Sequence, residues 1–249
     1  MVMLGRTFSI LARRLVDDLL SVVFPTLCAL CGEPVDSLAD GITCAACWSG
    51  VDALPTFARC PRCHAPRSAE ATTTECPACR GMVLDGLRYI GPYDGVLRAH
   101  VLFLKRKPQV CRRLREKIQE VLAEESAFRD VAVVLPVPLH PRRLRERGYN
   151  QAELLAEEVA RALARPLEKD VLRRIIYTEP HRAGMDALAR ARRVAGSFAV
   201  TSAEAVRGRV ILLVDDVFTS GATLNECART LRRSGARAVY GFVIGRALA

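Results

Sequence analysis

Eight of the ten cysteines in this 249-residue chain fall into four C-x-x-C pairs: Cys28/Cys31, Cys44/Cys47, Cys60/Cys63 and Cys76/Cys79. Each pair is separated from the next by 12 residues. Two cysteines at this spacing turn both sulfurs toward one ion through a tight knuckle, and Gly32, Pro61 and Pro77 suit such turns. Four pairs supply two complete tetrahedral S₄ sites. Thiolates without histidine or carboxylate partners select Zn²⁺ over hard cations. Because four cysteines close the coordination shell, both sites read as structural. The competing readings are disulfides, redox thiols and an iron–sulfur cluster. Disulfides need an oxidising compartment, and a redox C-x-x-C usually occurs singly. Consecutive pairs are expected to share an ion, giving two zinc ribbons in series. A cross-braced arrangement, first pair with third and second with fourth, is the alternative.

Composition changes after the last pair. Residues 25–81 are rich in Cys, Pro, Thr and Ala, and their apolar runs are short. From Leu84 onward, apolar strand-like runs alternate with helical patterns. The expected division is a module over 1–83 and a domain over 84–249. Within the domain, Leu87–Ile90, Val131–Val137, Val210–Val214 and Ala238–Ile244 read as strands. Val96–Lys105, Val110–Glu125, Asn150–Ala164 and Thr223–Arg233 read as helices, the last closed by Gly235. Cys111 and Cys227 fall in these helices as small buried residues. The alternation predicts a doubly wound α/β domain with a mainly parallel sheet.

At the N-terminus, Phe8, Leu11, Leu15, Leu19 and Val22 recur at helical spacing, interrupted by Arg13, Arg14, Asp17 and Asp18. This pattern predicts an amphipathic helix rather than a membrane span or a cleaved signal. Mean hydropathy is high at +0.13, but no transmembrane segment is expected. The expected location is the cytoplasm, with peripheral membrane association allowed. The formal charge is +10, from 37 basic and 27 acidic residues. Each Zn(Cys)₄ centre is formally −2, so two centres bring the total to about +6. Such a charge permits anionic partners without itself arguing for nucleic acid. Aromatic residues make up only 6% of the chain, which weakens a purely base-stacking mode of binding.

The segment Val210-Ile-Leu-Leu-Val-Asp-Asp-Val-Phe-Thr-Ser-Gly-Ala-Thr-Leu224 concentrates the chemistry. A buried strand ends in two carboxylates, Asp215 and Asp216. Thr219, Ser220, Gly221, Ala222 and Thr223 then lead into a helix. Small residues let backbone close around a phosphate, and the helix start adds the positive end of its dipole. A strand–turn–helix with simple capping residues is the plainer reading, but it explains one polar residue, not the ordered set. The segment resembles the phosphoribosyl pyrophosphate (PRPP) signature of type I phosphoribosyltransferases. That resemblance implies ribose hydroxyls on Asp215 and Asp216, the 5′-phosphate on Thr219–Thr223, and Mg²⁺ accompanying PRPP.

A second segment, Leu135-Pro-Val-Pro-Leu-His-Pro-Arg-Arg-Leu-Arg-Glu-Arg-Gly-Tyr-Asn-Gln-Ala-Glu-Leu-Leu155, resembles the hallmark of the ComF family of competence-associated proteins. Members join a zinc-ribbon module to a phosphoribosyltransferase-like domain, and the resemblance covers nearly the whole chain. It implies a fold of the type I phosphoribosyltransferase kind and a pyrophosphate-binding turn at Pro136, Val137 and Pro138. A basic loop, Arg142–Asn150, follows that turn. Arg142, Arg143, Arg145, Arg147 and Lys105 are candidate anion contacts, with a solvated basic face as the alternative. Gly196-Ser-Phe198 and Arg190 fit the family pattern, whereas Arg182 and Arg193 stand where members often carry Gln and Asn. The implied role is handling of single-stranded DNA with the uptake machinery. Two alternatives stay open: a phosphoribosyltransferase acting on an unknown nitrogen acceptor, and a non-catalytic PRPP sensor. No acceptor-base pocket is recognisable in the sequence.

Overall fold

The computed structural model describes residues 25–52, 59–67, 76–178 and 187–247. The expected N-terminal helix lies outside the described residues, as does Arg182.

Four parallel strands form the main sheet: β1 (Gly86–Pro92), β2 (Val133–Pro136), β5 (Val210–Phe218) and β6 (Ala238–Arg246). Their spatial order is β1-β6-β5-β2, and all three pairings are parallel. A separate antiparallel pair joins β3 (Leu172–Arg174) to β4 (Phe198–Val200).

Side chains alternate between the faces of a strand, so a continuous apolar run implies that both faces are covered. Along β5, Val210, Leu212 and Val214 enter one core, while Ile211 and Leu213 enter the other. The first core packs α2 (Gly95–Leu104), α3 (Arg112–Ala123) and α5 (Gln151–Leu163) through Val101, Ile118 and Leu155, and takes in Trp48 of α1 (Ala45–Asp52). The second packs α7 (Ala222–Arg233) through Leu224 and Leu231, together with Phe198 of β4 and the second cysteine ribbon. The expected doubly wound sheet is therefore present.

Strand β5 runs past the expected end at Val214. Asp215, Val217 and Phe218 stay in register with Val243, Gly245 and Arg246 of β6, which carries both carboxylates to the sheet edge. Helix α7 closes with Gly235 at φ +93°. The Gly235 N–H donates to Arg232 O and the Ala236 N–H to Leu231 O, both at 3.0 Å, a Schellman ending that needs the left-handed residue.

Two local expectations are corrected. Arg142–Arg147 is not loop: Pro141–Arg147 forms a short helix, α4. His140 Nδ1 accepts the Arg142 N–H at its start, Pro141 opens its first turn, and Gly148 ends it in the left-handed region. Cys111 caps α3 rather than lying within it. The β3–β4 pair and helix α6 (Ala187–Val194) were not expected.

Candidate functional site

The cysteines resolve into two clusters, Cys28/Cys31/Cys44/Cys47 and Cys60/Cys63/Cys76/Cys79, with each set of sulfurs lying within 4.8 Å of one another. Consecutive pairs therefore share a centre, and the cross-braced alternative is excluded. Sulfur separations are 3.7 Å (Cys28–Cys47), 3.6 Å (Cys31–Cys44), 3.5 Å (Cys60–Cys79) and 3.7 Å (Cys63–Cys76). A tetrahedron with Zn–S bonds of about 2.3 Å has an edge of about 3.8 Å, so the donors fit zinc. The distances are far too long for disulfides. Both knuckles use the same geometry. Gly32 and His64, each four residues after a first cysteine, sit at φ +79° and +58° and donate their N–H to Cys28 O and Cys60 O.

Each ribbon is fastened to the α/β domain by buried polar contacts. In the first, Asp40 is fully buried and receives Arg112 at 2.6 Å, and Thr43 bonds His100 of α2 at 2.7 Å. In the second, Arg88 of β1 pairs with Glu125 and donates to Pro61 O and Arg62 O. Tyr89 donates to His64 O at 2.8 Å, and Arg246 to Cys63 O at 2.6 Å.

The loops after β2 and β5 leave toward opposite faces, since α5 covers one core and α7 the other. Adjacent strands that diverge in this way open a crevice at their carboxyl ends, where doubly wound sheets bind ligands. Asp215 and Asp216 stand at that edge. By strand alternation they face opposite sides: Asp216 toward α2 and α5, Asp215 toward α7 and β3.

Asp216 is 6% exposed. It receives the Lys105 ammonium at 2.9 Å and the Gln151 amide at 3.3 Å, and Arg147 donates to the same Gln151. Burial pulls the Lys105 ammonium down, but the facing Asp216 carboxylate outweighs it, and the group titrates above its ordinary range. Lys105 sits just beyond α2, where Tyr149 fixes the helix end by donating to Leu104 O at 2.7 Å. The next residue, Asn150, caps α5 and donates to Val137 O at 3.0 Å. The Gly-Tyr-Asn-Gln segment thus braces three sides of the crevice.

Asp215 makes no ion pair among the described residues. Withdrawal from water first, and then the neighbouring Asp216 charge, push its carboxyl up to about 8. On its side lies Arg174, whose guanidinium burial pulls down from its usual range. Arg174 stacks on the Phe198 ring at 5.5 Å, and its Nε lacks a hydrogen-bond partner among the described residues.

The loop from Thr219 to Thr223 encloses a hollow of about 20 Å³ that Asp215 also lines. Gly221 turns the chain at φ +73°, and a Cβ there would meet the Phe218 ring at 2.4 Å. The N–H groups of the first turn of α7 start at this point with no helical carbonyl of their own.

The structure thus gathers Asp215, Asp216, Thr219–Thr223, Lys105 and, through Gln151, Arg147. The Pro136–Pro138 turn lies beside them, but Pro136 and Pro138 have no N–H and Val137 donates its own to Val214 O at 2.9 Å. These three residues therefore offer no free backbone N–H among the described contacts. Arg142 and Arg143 lie apart, paired with Glu146 on α4, and Arg142 covers the Tyr177 ring at 4.5 Å. Sequence reasoning missed Gln151 and Arg174. Gln151 lies within the ComF-like segment without a role of its own there, and nothing in the linear pattern marks Arg174.

A module of two Cys₄ centres followed by a doubly wound α/β domain defines a double zinc ribbon protein with a phosphoribosyltransferase-like domain. The double zinc ribbon domain profile matches residues 19–83, and that of the phosphoribosyl transferase domain matches residues 150–245. The chain belongs to the ComF family. It is 36% identical over 115 residues to competence protein F of Haemophilus influenzae, across 46% of this chain and 50% of that protein. It is 32% identical over 160 residues to the DNA utilization protein YhgH of Salmonella typhi, covering 61% of this chain and 67% of that one. Competence protein ComFC of Bacillus subtilis is 34% identical over 46% of this chain and 44% of its own length. The match thus spans only half of the first relative. Among solved structures, a glutamine PRPP amidotransferase from B. subtilis complexed with ADP and GMP aligns with a TM-score of 0.35 and 23% identity, over 52% of this chain and 26% of that one. A likeness that loose carries no weight here. No helix among the described residues is long and apolar enough to cross a membrane.

Proposed function

We propose that the domain binds PRPP together with Mg²⁺ at the carboxyl edge of β5 and β2. In this reading the 5′-phosphate occupies the Thr219–Thr223 hollow, and the ribose hydroxyls meet Asp215 and Asp216. The pyrophosphate faces Lys105 and the basic residues beyond β2. Mg²⁺ takes oxygen ligands, so an ion held by the substrate would supply the positive charge that Asp215 lacks. The observation that carries the reading is the adjacency of a small-residue hollow at the start of a 12-residue helix and a carboxyl, Asp215, that accepts the Asp216 N–H at 2.8 Å but makes no ion pair among the described residues.

The relatives' names, competence protein and DNA utilization protein, support a place in the handling of incoming DNA. Single-stranded DNA and the uptake machinery are therefore the proposed partners, with the two ribbons and the basic surface as the contact region. Equilibrium binding of PRPP with Mg²⁺ to the wild type and to the Asp215→Asn/Asp216→Asn double variant tests the site. The double variant is expected to stay folded and zinc-loaded while losing PRPP binding. Normal binding by that variant would overturn the assignment.

A further inference from the structure

The second ribbon holds the loop after β5 at both of its ends. At the entrance, Arg246 of β6 stands opposite Phe218 of β5 in the sheet register. Its guanidinium lies 5.2 Å from the Phe218 ring centre and donates to Cys63 O at 2.6 Å. The Phe218 ring in turn abuts Gly221, where it leaves no room for a Cβ. At the exit, Asn225 lies in the first turn of α7, and its N–H donates to Gly221 O at 2.8 Å. Its side-chain Oδ1 accepts the N–H of Val83, just beyond Cys79, at 2.8 Å, and its Nδ2 donates to Gly81 O at 3.5 Å.

Both grips are buried, Arg246 at 5% and Asn225 at 9% exposure, so breaking either leaves a polar group away from water. Between them a cavity of about 560 Å³ separates the ribbon from Thr219 and Ser220. The ribbon therefore acts on the loop through its ends rather than along its length. On the ribbon side, the partners lie inside or directly after the cluster formed by Cys60, Cys63, Cys76 and Cys79. A structural zinc supplies folding free energy to the module that binds it. Loss of the ion thus loosens the segments that carry the Cys63 carbonyl and the Val83 N–H.

We propose that the second zinc centre regulates the phosphate loop: the metal-loaded ribbon holds the loop in its binding shape, and an occupied loop tightens the ribbon's hold on its metal. The inference rests on the PRPP reading above. Linkage makes the effect reciprocal, by the same factor in both directions. Arg246 and Asn225 are positioning residues that act through Phe218 and Gly221. The first ribbon meets α2 and α3 instead, through Thr43 with His100 and Asp40 with Arg112, and among the described residues it touches neither end of the loop.

The test measures zinc affinity by competition with a chromogenic chelator, on full-length protein with Mg²⁺, with and without PRPP at a concentration that calorimetry shows to be saturating. Cys31→Ser protein, which keeps the four cysteines of the second centre, reports that centre alone, and the wild type adds the first. PRPP is expected to raise the zinc affinity of the second centre at least about fivefold and that of the first by less than about twofold. Arg246→Met and Asn225→Leu each remove one grip and leave every cysteine in place. Each should cut the gain at the second centre at least about twofold. PRPP binding without a gain at the second centre overturns the coupling and leaves the PRPP reading intact. An equal gain at both centres also overturns it, because a ligand that merely stabilises the whole fold acts on both. A full gain in both variants overturns the route through Arg246 and Asn225. Absence of PRPP binding removes the underlying reading, and the proposal with it.

Discussion

The Lys105 ammonium sits 2.9 Å from the Asp216 carboxylate, tying the end of α2 to the tip of β5 across 111 positions of chain. Asp216 is nearly buried and Lys105 is about one-third exposed. The pair therefore lies between a surface bridge and a fully desolvated one. Removing the cation leaves a carboxylate with only the Gln151 amide. Lys105→Ala is expected to cost about 1–2 kcal/mol, below the range for a fully buried pair, and to weaken PRPP binding at least about tenfold. Urea denaturation and PRPP titration of this variant check both. Unchanged PRPP affinity would mean that the lysine serves Asp216 alone.

Asp215 sets a pH dependence. Its carboxyl is pushed up to about 8 in the folded chain, from an ordinary value of 3.8. Between those values the folded state holds a proton that the unfolded state has released, so stability falls as pH rises through this window. Binding of a cation-bearing ligand needs the ionised form and expels that proton. PRPP affinity with Mg²⁺ should therefore rise from pH 6 toward about 8 and then level. Calorimetry in buffers of different ionisation enthalpy should report proton release. Asp215→Asn should abolish the stability slope, and its persistence would assign the slope elsewhere.

Gly221 tests the loop. An alanine there meets both an unfavourable positive φ and a 2.4 Å approach to the Phe218 ring. The expected cost is roughly 2–4 kcal/mol, read by chemical denaturation, with PRPP binding reduced as the hollow deforms. Gly32 also sits at positive φ, but no atom lies within 4 Å of an added Cβ. Gly32→Ala should therefore cost only the backbone term, about 1–2 kcal/mol.

The two zinc centres should not be equivalent. Cys60 and Cys63 belong to the same core as Leu213, Val243 and Leu231 of the main domain, whereas Cys28 and Cys44 pack in a small cluster with Val35. Cys60→Ser should lower the melting temperature of the whole protein, while Cys31→Ser should release one zinc and leave the main transition nearly in place. Zinc content by chromogenic chelator and thermal unfolding by circular dichroism check this. Equal shifts from both variants would contradict the difference in packing.

Much of the fold was legible because both cores impose simple patterns. The Val210–Val214 run reads as a strand covered on both faces, and helices α2, α3, α5 and α7 appear within a residue or two of their periodicity. What was hidden has physical causes. Strands β3 and β4 are three residues each, too short for a period to show. Helix α4 carries its signals in His140, Pro141 and Gly148, but its four arginines read more readily as a mobile anion loop. Asp215 and Asp216 read as one acidic pair, yet strand alternation sends them to opposite faces with different partners. Lys105 and Gln151 meet Asp216 only through tertiary packing. The large cavity joins Arg80 and Met82 to Phe218 and Arg246, segments far apart in sequence, so no local motif announces it.

Calorimetric titration of PRPP with Mg²⁺ into zinc-loaded wild-type protein, alone and with single-stranded DNA present, tests the central claim most directly. The account predicts one PRPP site per chain, with an affinity that shifts when DNA is added. A folded, zinc-loaded protein that takes up no PRPP would contradict it.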